Sequence, residues 1–526
     1  MYIQPNSNIR ILHNVPCDKD YTNTLFFNSL ADQTAYFIGQ TRHNLGNQYF
    51  ARMANGLARV EVPIGNMYDC NYLMFQNTSF SNKWFYAFIT NVEYVNNVTT
   101  EITFELDEMQ SWFFDYTMQD VFVEREHTLT DNIGDNIVPE SFNLGEYVTN
   151  SYEELLSPNG VYIMVAYIPI NTTSQISGQI IDGVFQACAL KIFPSTTGGV
   201  NGLNSFLQSY LEKPDNIQSI YTIPSWAYAG TVSDDGTDVP YGDTGDFNYI
   251  TVNPVSVLSE LDGYRPRNKK LYTYPYNFYQ VDNASGQSLT LRYEFFDQLT
   301  PHLVNFSSIT QPVASVIRAT GYKNTRTGGG LQAPQSLNTE SLVLSNFPQC
   351  SWVVDSYDAW CAQQALPLAI GTGGAIATLG LANFGSIHSG SNVPIFGAIG
   401  ATGNAFLNQY QASIKADTCK GILTSGNANI GYKTQNFFGG RFSIENSMAR
   451  QIDDFFDLYG YALREVKQPN RNYRPHWNYV KTIGCQINAS FPYEHELKIN
   501  NIYDKGIRFW RNPSEVGNYS LDNSPV

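Results

Sequence analysis

Apolar and polar positions alternate with a period of two at several places along the chain, and each such place reads as a strand with one covered and one wet face. The clearest is the pair "WFYAFITNVEYV" (84–95) and "VTTEITFELD" (98–107), joined at Asn96-Asn97. Here Ile102, Phe104 and Leu106 alternate with Thr103, Glu105 and Asp107, which predicts a β-hairpin with the second set in water. A second hairpin is predicted from "LYTYPYNFYQV" (271–281) and "SLTLRYEFF" (288–296), turning through Asp282, Asn283 and Gly286, with Leu289, Leu291, Tyr293 and Phe295 on one side. The run "GVYIMVAYIPI" (160–170) is apolar almost without interruption, as in a strand covered on both faces, whereas "SDDGTDVPYGDTGD" (233–246) reads as exposed turns. One soluble helix stands out in "SIENSMARQIDDFFDLYG" (443–460). Ser443 is its expected N-cap, Ile444, Met448, Ile452, Phe456 and Tyr459 its apolar stripe, and Gly460 its stop. Strand-like "YALREV" and "NYVKTIGCQINA" follow, and no repeat of 20–50 residues is seen.

One region breaks this pattern. The runs "LPLAIGTGGAIATLGLANFG" (366–385) and "VPIFGAIGATGNAFL" (393–407) lie in a stretch, Ala359 to Ile414, with no Asp, Glu, Lys or Arg, preceded by the linker-like "NTRTGGGLQAPQSLN" (324–338). Three readings of it compete. A helical hairpin inside a large core suits runs of this length. A nucleotide loop does not fit, because Gly371, Gly373 and Gly374 are not followed by Lys-Ser/Thr and Ile376 stands where a dinucleotide fingerprint needs Gly. A membrane-active segment suits the small residues at four-residue spacing, Ala369 with Gly373 and Gly397 with Ala401. Its apolar members are Leu366, Leu368, Ile370, Ile376, Leu379, Leu381 and Phe384, then Val393, Ile395, Phe396, Ile399, Phe406 and Leu407. About seven such residues at roughly −0.5 kcal/mol each give only about −3 kcal/mol per copy, and the second run is too short for about 30 Å of hydrocarbon. Insertion therefore calls for several copies acting together, hidden beforehand because so large an apolar patch would aggregate. His388, between the runs, reads either as an acid sensor or as a solvated turn residue.

Composition supports a β-rich chain of several domains: 526 residues, 14% aromatic and only 15% charged. The net charge is −16, concentrated before Ala359 and close to neutral from Arg441 onward, which excludes a general nucleic-acid binder that needs clustered cations. The 7 Cys are scattered without a C-x-x-C pair, so we expect reduced thiols, no disulfide framework, no metal and no cofactor. The start "MYIQPNSNIRIL" lacks a basic region followed by an apolar one, so synthesis without secretion is expected. Carboxylates such as Glu105, Asp107, Glu108, Glu124 and Glu126 are the kind a glycosidase pairs, but no G-x-S-x-G, H-E-x-x-H or catalytic Cys context accompanies them, and no enzyme is expected.

Particular strings carry a resemblance. "NIRILHNVP" (8–16), "YTNTLFF" (21–27), "YLMFQN" (72–77), "NKWFYAF" (82–88), "MQSWFFD" (109–115), "FVEREH" (122–127), "LYTYPY" (271–276), "FFDLYGY" (455–461), "YDKGIRFW" (503–510) and "GNYS" (517–520) resemble the tail knob proteins of phi29-like short-tailed phages. The agreement is strong in 1–130 and 440–526, patchy in 271–300 and weak in 135–265. The resemblance implies a mainly β fold with some α+β content. Hub-like β-barrel or sandwich domains would form a ring-shaped tube, with a long hydrophobic, glycine-rich loop containing helical segments. It implies a homohexamer at the distal end of the virion tail, assembled in the host cytoplasm and joined to a lower-collar or tail-tube protein. Double-stranded DNA would pass through without sequence specificity, and loops plugging the tube would be released to penetrate the host cytoplasmic membrane. By order along the chain this maps to an N-terminal wall domain (1–134), a variable outer module (135–265), a β-hairpin tube domain (266–351), the apolar loop (352–432) and a C-terminal α/β tube domain (433–526). Arg464, Lys467, Arg471, Arg474 and Lys481 then become candidates for facing DNA or the adjoining tube, against the plainer reading of solvated strand ends. The alternatives are a cell-wall-degrading or receptor-binding tail protein, and a free pore-forming protein.

Overall fold

The computed structural model describes residues 7–48, 56–156, 160–170, 179–181, 184–186, 188–210, 216–239, 250–252, 256–283, 286–296, 302–309, 314–320, 341–345 and 436–524, with 213, 322, 349–350, 352–353 and 419–420. The chain divides into two compact units: unit 1 is Met1–Gly145, Gly263–Thr273 and Glu445–Val526, and unit 2 is Glu146–Asp262 and Tyr274–Ile444. Gly263–Thr273 is thus a short strap of unit 1 set between two stretches of unit 2. Strands and helices are numbered along the whole chain.

Unit 1 holds an antiparallel sheet of β1 (Ser7–His13), β3 (Thr41–Gln48), β4 (Leu57–Val60), β5 (Cys70–Asn77), β6 (Trp84–Asn96) and β7 (Thr99–Leu106), in the order β3-β1-β5-β6-β7-β4. The β6–β7 hairpin is the one its alternation predicts, with Ile102 and Phe104 buried and Glu105 exposed. Asp107 departs from the expectation, being fully buried as the N-cap of the short helix α2 (Glu108–Ser111). A second sheet runs β2-β30-β28-β9-β27, from Asn23–Leu25, Ile507–Trp510, Trp477–Ile483, Val121–Glu126 and Tyr461–Lys467. Two short strands, β8 (Tyr116–Met118) and β29 (Ile487–Ala489), pair beside it. Helix α1 (Leu30–Gly39) buries Phe37, which lies 4.4 Å from the Tyr86 ring and 5.5 Å from that of Tyr72. Trp477 and Trp510 meet at 4.9 Å in the same core.

Helix α4 (Asn446–Tyr459) ends at Gly460 as predicted, with φ 65°, where an added Cβ would meet the Glu126 carbonyl oxygen at 2.2 Å. Its start differs from the prediction. Ser443 and Ile444 belong to the preceding strand, whose ladder takes them, and Glu445 precedes the helix without a side-chain cap. The buried face carries Ile452 and Phe456 but also Ala449, Asp453 and Asp457. Helix α5 (Tyr493–Lys505) buries Ile499, Ile502 and Tyr503.

Unit 2 contains a sheet β10-β26-β18-β19 (Tyr147–Glu154, Phe438–Ile444, Asn277–Asp282, Ser288–Leu291). A second sheet, β16-β14-β11-β15-β23, is built from Thr237–Asp238, Ala189–Pro194, Val161–Tyr167, Ile217–Pro224 and Gln349–Cys350. The apolar run read as a covered strand is β11, at the centre of this sheet. Beside β14, helix α3 (Thr197–Gln208) is capped by Thr196 Oγ1, which accepts from Gly199 N at 3.0 Å. A third sheet runs β17-β20-β21-β22 (Ile250–Val252, His302–Ser308, Ala314–Thr320, Ser341–Ser345), and β12 (Gln179–Ile181) pairs with β13 (Val184–Gln186). The predicted second hairpin is shorter than expected. Leu271 and Tyr272 lie in a 3-10 turn (Lys269–Tyr272) of the strap, and Tyr293–Phe295 form another, leaving β18 and β19 as its strands. Pro275 between the turn and β18 has no N–H to give a ladder. Leu291 and Tyr293 are buried all the same, with Met164, Ile192, Tyr279 and Ile317 in one core. The fold is mainly β, with few helices among the described residues.

Candidate functional site

In unit 1 the strap is gripped by carboxylates. Asp453 Oδ2 accepts from Arg267 N at 2.8 Å and Tyr264 Oη at 2.7 Å, and its Oδ1 from Asn268 N at 3.0 Å. Asn268 Nδ2 donates to Asp453 Oδ1 and to Asp457 Oδ1, at 2.8 and 2.6 Å. Lys269 N donates to Asp131 Oδ2 at 2.9 Å, and Tyr461 Oη spans Asp131 Oδ1 at 2.7 Å and Asn268 Oδ1 at 3.0 Å. Glu140, whose side chain is covered, pairs with Lys270 and Arg125. Hydrogen bonds from backbone N–H groups to ions are among the stronger ones, so the clasp fixes the strap's path. Burial pushes the Asp457 carboxyl up to about 6, with Asp453 adding to the effect against Asn268 and Arg267. His127 is held neutral. Tyr479 N donates to its Nδ1 at 2.8 Å, which leaves Nε2–H to donate to the Asp457 carbonyl at 3.0 Å, and burial drives its pKa well down. The sequence reading missed this constellation; its one local trace is two carboxylates four residues apart inside an apolar stripe, with "YRPRNKK" (264–270) elsewhere.

The five basic candidates take separate posts. Arg474 is buried, its Nη1 3.3 Å from the Asn523 carbonyl. Arg471 lies over the Phe113 ring at 4.6 Å and donates to Tyr116 Oη at 3.2 Å. Lys467 pairs with buried Glu126, and Lys481 with Glu124 at 2.7 Å. Arg464 is exposed, with φ 53°, in the bulge of edge strand β27. The carboxylates weighed as catalytic pairs are likewise engaged: Glu105 with Lys19 at 2.7 Å, Asp107 with Tyr72 Oη at 2.7 Å, and Glu108 with His495 and Lys498, both at 2.6 Å.

Two apolar features of unit 1 face solvent. Tyr94, Val95 and Val98 are exposed at the tip of the β6–β7 hairpin, where among the described residues no strand pairs with the outer edge of β6 beyond Phe88. Phe122 stands in register with Val466 on one side and Ile483 on the other, all three exposed on one face of the second sheet. Open strand edges and apolar rows of this kind mark association surfaces.

The predicted apolar residues Leu366, Leu368, Ile370, Ile376, Leu379, Leu381, Phe384, Val393, Ile395, Phe396, Ile399, Phe406 and Leu407, with His388 and the linker 324–338, lie outside the described residues. What is described is the base of that stretch: β24 (Trp352–Val353) pairs antiparallel with β25 (Cys419–Lys420), Trp352 opposite Lys420 and Val353 opposite Cys419. The backbone on either side of 354–418 is thereby brought together. Among the described residues no group of His, Cys, Asp and Glu is arranged to hold a metal, and no helix is long and apolar enough to cross a membrane.

Mostly antiparallel sheets with outward apolar rows, and a long charge-free stretch joined to a paired base, fit a β-built structural protein of an assembly. Comparison with known proteins gives that class its family. The family model for the C-terminal domain of tail knob protein gp9 of Bacillus phage phi29 matches residues 245–524, more than half of the chain, and the chain belongs to this family. The model for the caudoviral major tail protein N-terminus matches residues 5–117. The chain is 26% identical to tail knob protein gp9 of Bacillus phage PZA and 25% identical to those of phages B103 and phi29, covering 98% of this chain and 98% of each relative. The solved tail knob protein gp12 of bacteriophage C1 shares the fold, with a TM-score of 0.65 at 14% identity over 98% of this chain and 99% of that one. The protein is a tail knob structural protein of a short-tailed phage, a virion component at the tail.

Proposed function

We propose that copies of this chain form a homohexameric, DNA-conducting tube at the distal end of the tail. In this reading the charge-free stretch around Leu366–Leu407 plugs the bore until it is released to penetrate the host cytoplasmic membrane. The observation that carries the reading is the joining of a stretch without Asp, Glu, Lys or Arg, Ala359 to Ile414, to a β24–β25 stem that closes its base. A segment tethered in this way can leave a cavity as one piece while the sheets that hold it stay folded, a two-state release. Each copy alone gains only about −3 kcal/mol on insertion, so a ring of copies supplies what one lacks. The hairpin tip at Tyr94–Val98 and the row Phe122, Val466 and Ile483 serve as contacts between copies or with the lower-collar or tail-tube protein. The assembly forms in the host cytoplasm. Double-stranded DNA crosses it without sequence-specific contact, favoured by the net charge of −16, which repels phosphate along the passage. Arg464 is the predicted cation left exposed to meet DNA or the adjoining tube.

Deleting 366–407 tests this directly. Particles carrying the deletion should assemble with a normal tail yet fail to deliver DNA, and the purified variant should no longer release dye from anionic liposomes. Full infectivity of the deleted phage would end the proposal.

A further inference from the structure

Asp453 and Asp457 stand one turn apart on the buried face of α4, and both accept from the same nitrogen, Asn268 Nδ2. Two carboxylates sharing one donor are close enough to repel strongly in an interior of low polarisability. Asp453 is well served, by two backbone N–H groups, a tyrosine hydroxyl and an amide. Asp457 is not: its Oδ2 lies 2.9 Å from Arg267 Nη1 with no aligned hydrogen bond, and Arg267 is divided among Asp453, Asp454 and Asp457.

The other charged and titratable groups around the pair leave it short of positive charge. From the strap come Tyr264, Arg267 and Lys270, the last committed to Glu140, which also holds Arg125. From α4 comes Asp454, from β27 Tyr461, and from the segment after β9 neutral His127 and Asp131. Arg474 acts on Asp457 from the chain before β28, and Asp522 draws on Arg267 from near the C-terminus.

We propose that the strap Gly263–Thr273 is held by an acid-tightened clasp: Asp457, beside Asp453, keeps its proton, and when that proton leaves, the clasp's hold on the backbone of Arg267 and Asn268 slackens. The direction of the Asp457 shift agrees. Its carboxyl is raised to about 6, so the folded clasp retains a proton that the unclasped chain gives up near pH 4. Stability from this group is therefore full at the acid end and is lost as pH rises through about 6. The clasp is a property of unit 1 alone and holds whether or not the tube reading does.

The test is hydrogen–deuterium exchange of the full chain between pH 5 and 8, with rates corrected for the intrinsic dependence on pH. Strap peptides spanning Arg267 to Lys270 should lose about tenfold or more in protection across that range beyond any loss in peptides of β5, which follow unit 1 as a whole, while peptides of β11 in unit 2 keep theirs. Asp457→Asn should hold acid-level strap protection, relative to β5 of unit 1, at pH 8, and exposed Asp120→Asn, outside the clasp, should keep the wild-type pH dependence. Wild-type strap protection that does not change with pH would overturn the clasp, as would Asp457→Asn following the wild-type curve. If Asp457→Asn does not fold, the wild-type comparison of the strap with β5 decides the matter by itself.

Discussion

The two units bury polar groups with opposite chemistry. Among the described residues every buried charged side chain lies in unit 1, among them Asp107, Glu108, Glu126, Asp131, Lys270, Asp453, Asp457, Arg474 and Arg508. The buried polar residues of unit 2 are neutral: Ser195, Thr222, Asn277, Asn305, Ser315, Asn436, Ser443 and others. Both units are mostly antiparallel sheets around apolar cores, with β2–β30 in unit 1 paired parallel, so the difference is not one of fold class. It follows from what each must hold. Unit 1 draws in three separate lengths of chain, including a strap of its own, and ions with directed hydrogen bonds can pin backbone that no ladder pairs. The described strands of unit 2 pair their backbone through sheet ladders, where neutral amides and hydroxyls suffice. Titration should therefore move unit 1 more than unit 2, where Glu294 is the carboxyl that burial raises among the described residues.

That contrast can be attacked in order of expected effect. Asp453→Ala should be the most damaging, because it strips the partner from Tyr264, from two strap amides and from Arg267 at once; a loss of about 3–5 kcal/mol is expected, read as lost exchange protection in unit 1 with unit 2 unchanged. Equal loss in both units would mean that they do not unfold separately. Asp107→Asn should do the reverse. Burial pushes the Asp107 carboxyl up to about 7, so the folded chain carries the cost of an ionised buried acid above that pH, and stability falls as pH rises from about 4 to 7. Asn still caps α2 and still faces Tyr72 without charge, so the variant should be more stable at pH 8 by on the order of 2 kcal/mol, with a flatter stability–pH curve. Smallest is Thr196→Ala in unit 2, which removes the α3 cap for about 1 kcal/mol; that loss should be the same at pH 5 and pH 8, and a pH-dependent loss would blur the contrast.

Legibility in the sequence follows the range of the interaction. The β6–β7 hairpin was readable because alternation, turn and partner all lie within 84–107. Strand β11 was readable because an unbroken apolar run of strand length suits a covered strand. Helix α4 was readable at Gly460, where a local backbone requirement sets the stop, and misread at Ser443, a good cap residue that lies between β10 and β18 instead. Asp107 read as wet, and Asp453 and Asp457 carried no reading beside the apolar stripe of their helix, because nothing near them in the chain shows that Tyr72, Asn268 or Arg267 comes to meet them. The basic candidates had the same blind spot: Arg474 looks like surface charge and is interior.

By itself the sequence determined the mainly β character, the strands whose period is local, and the charge-free stretch, since side-chain alternation and composition need no distant partner. Only the tertiary structure decided that Glu140 meets Lys270, that Asp131 meets Lys269, and that Phe438–Ile444 enters a sheet between Tyr147–Glu154 and Asn277–Asp282. Those choices depend on which residues far apart in the chain are brought within a few ångströms when water is excluded, and neither a residue nor its neighbours in sequence carries that information.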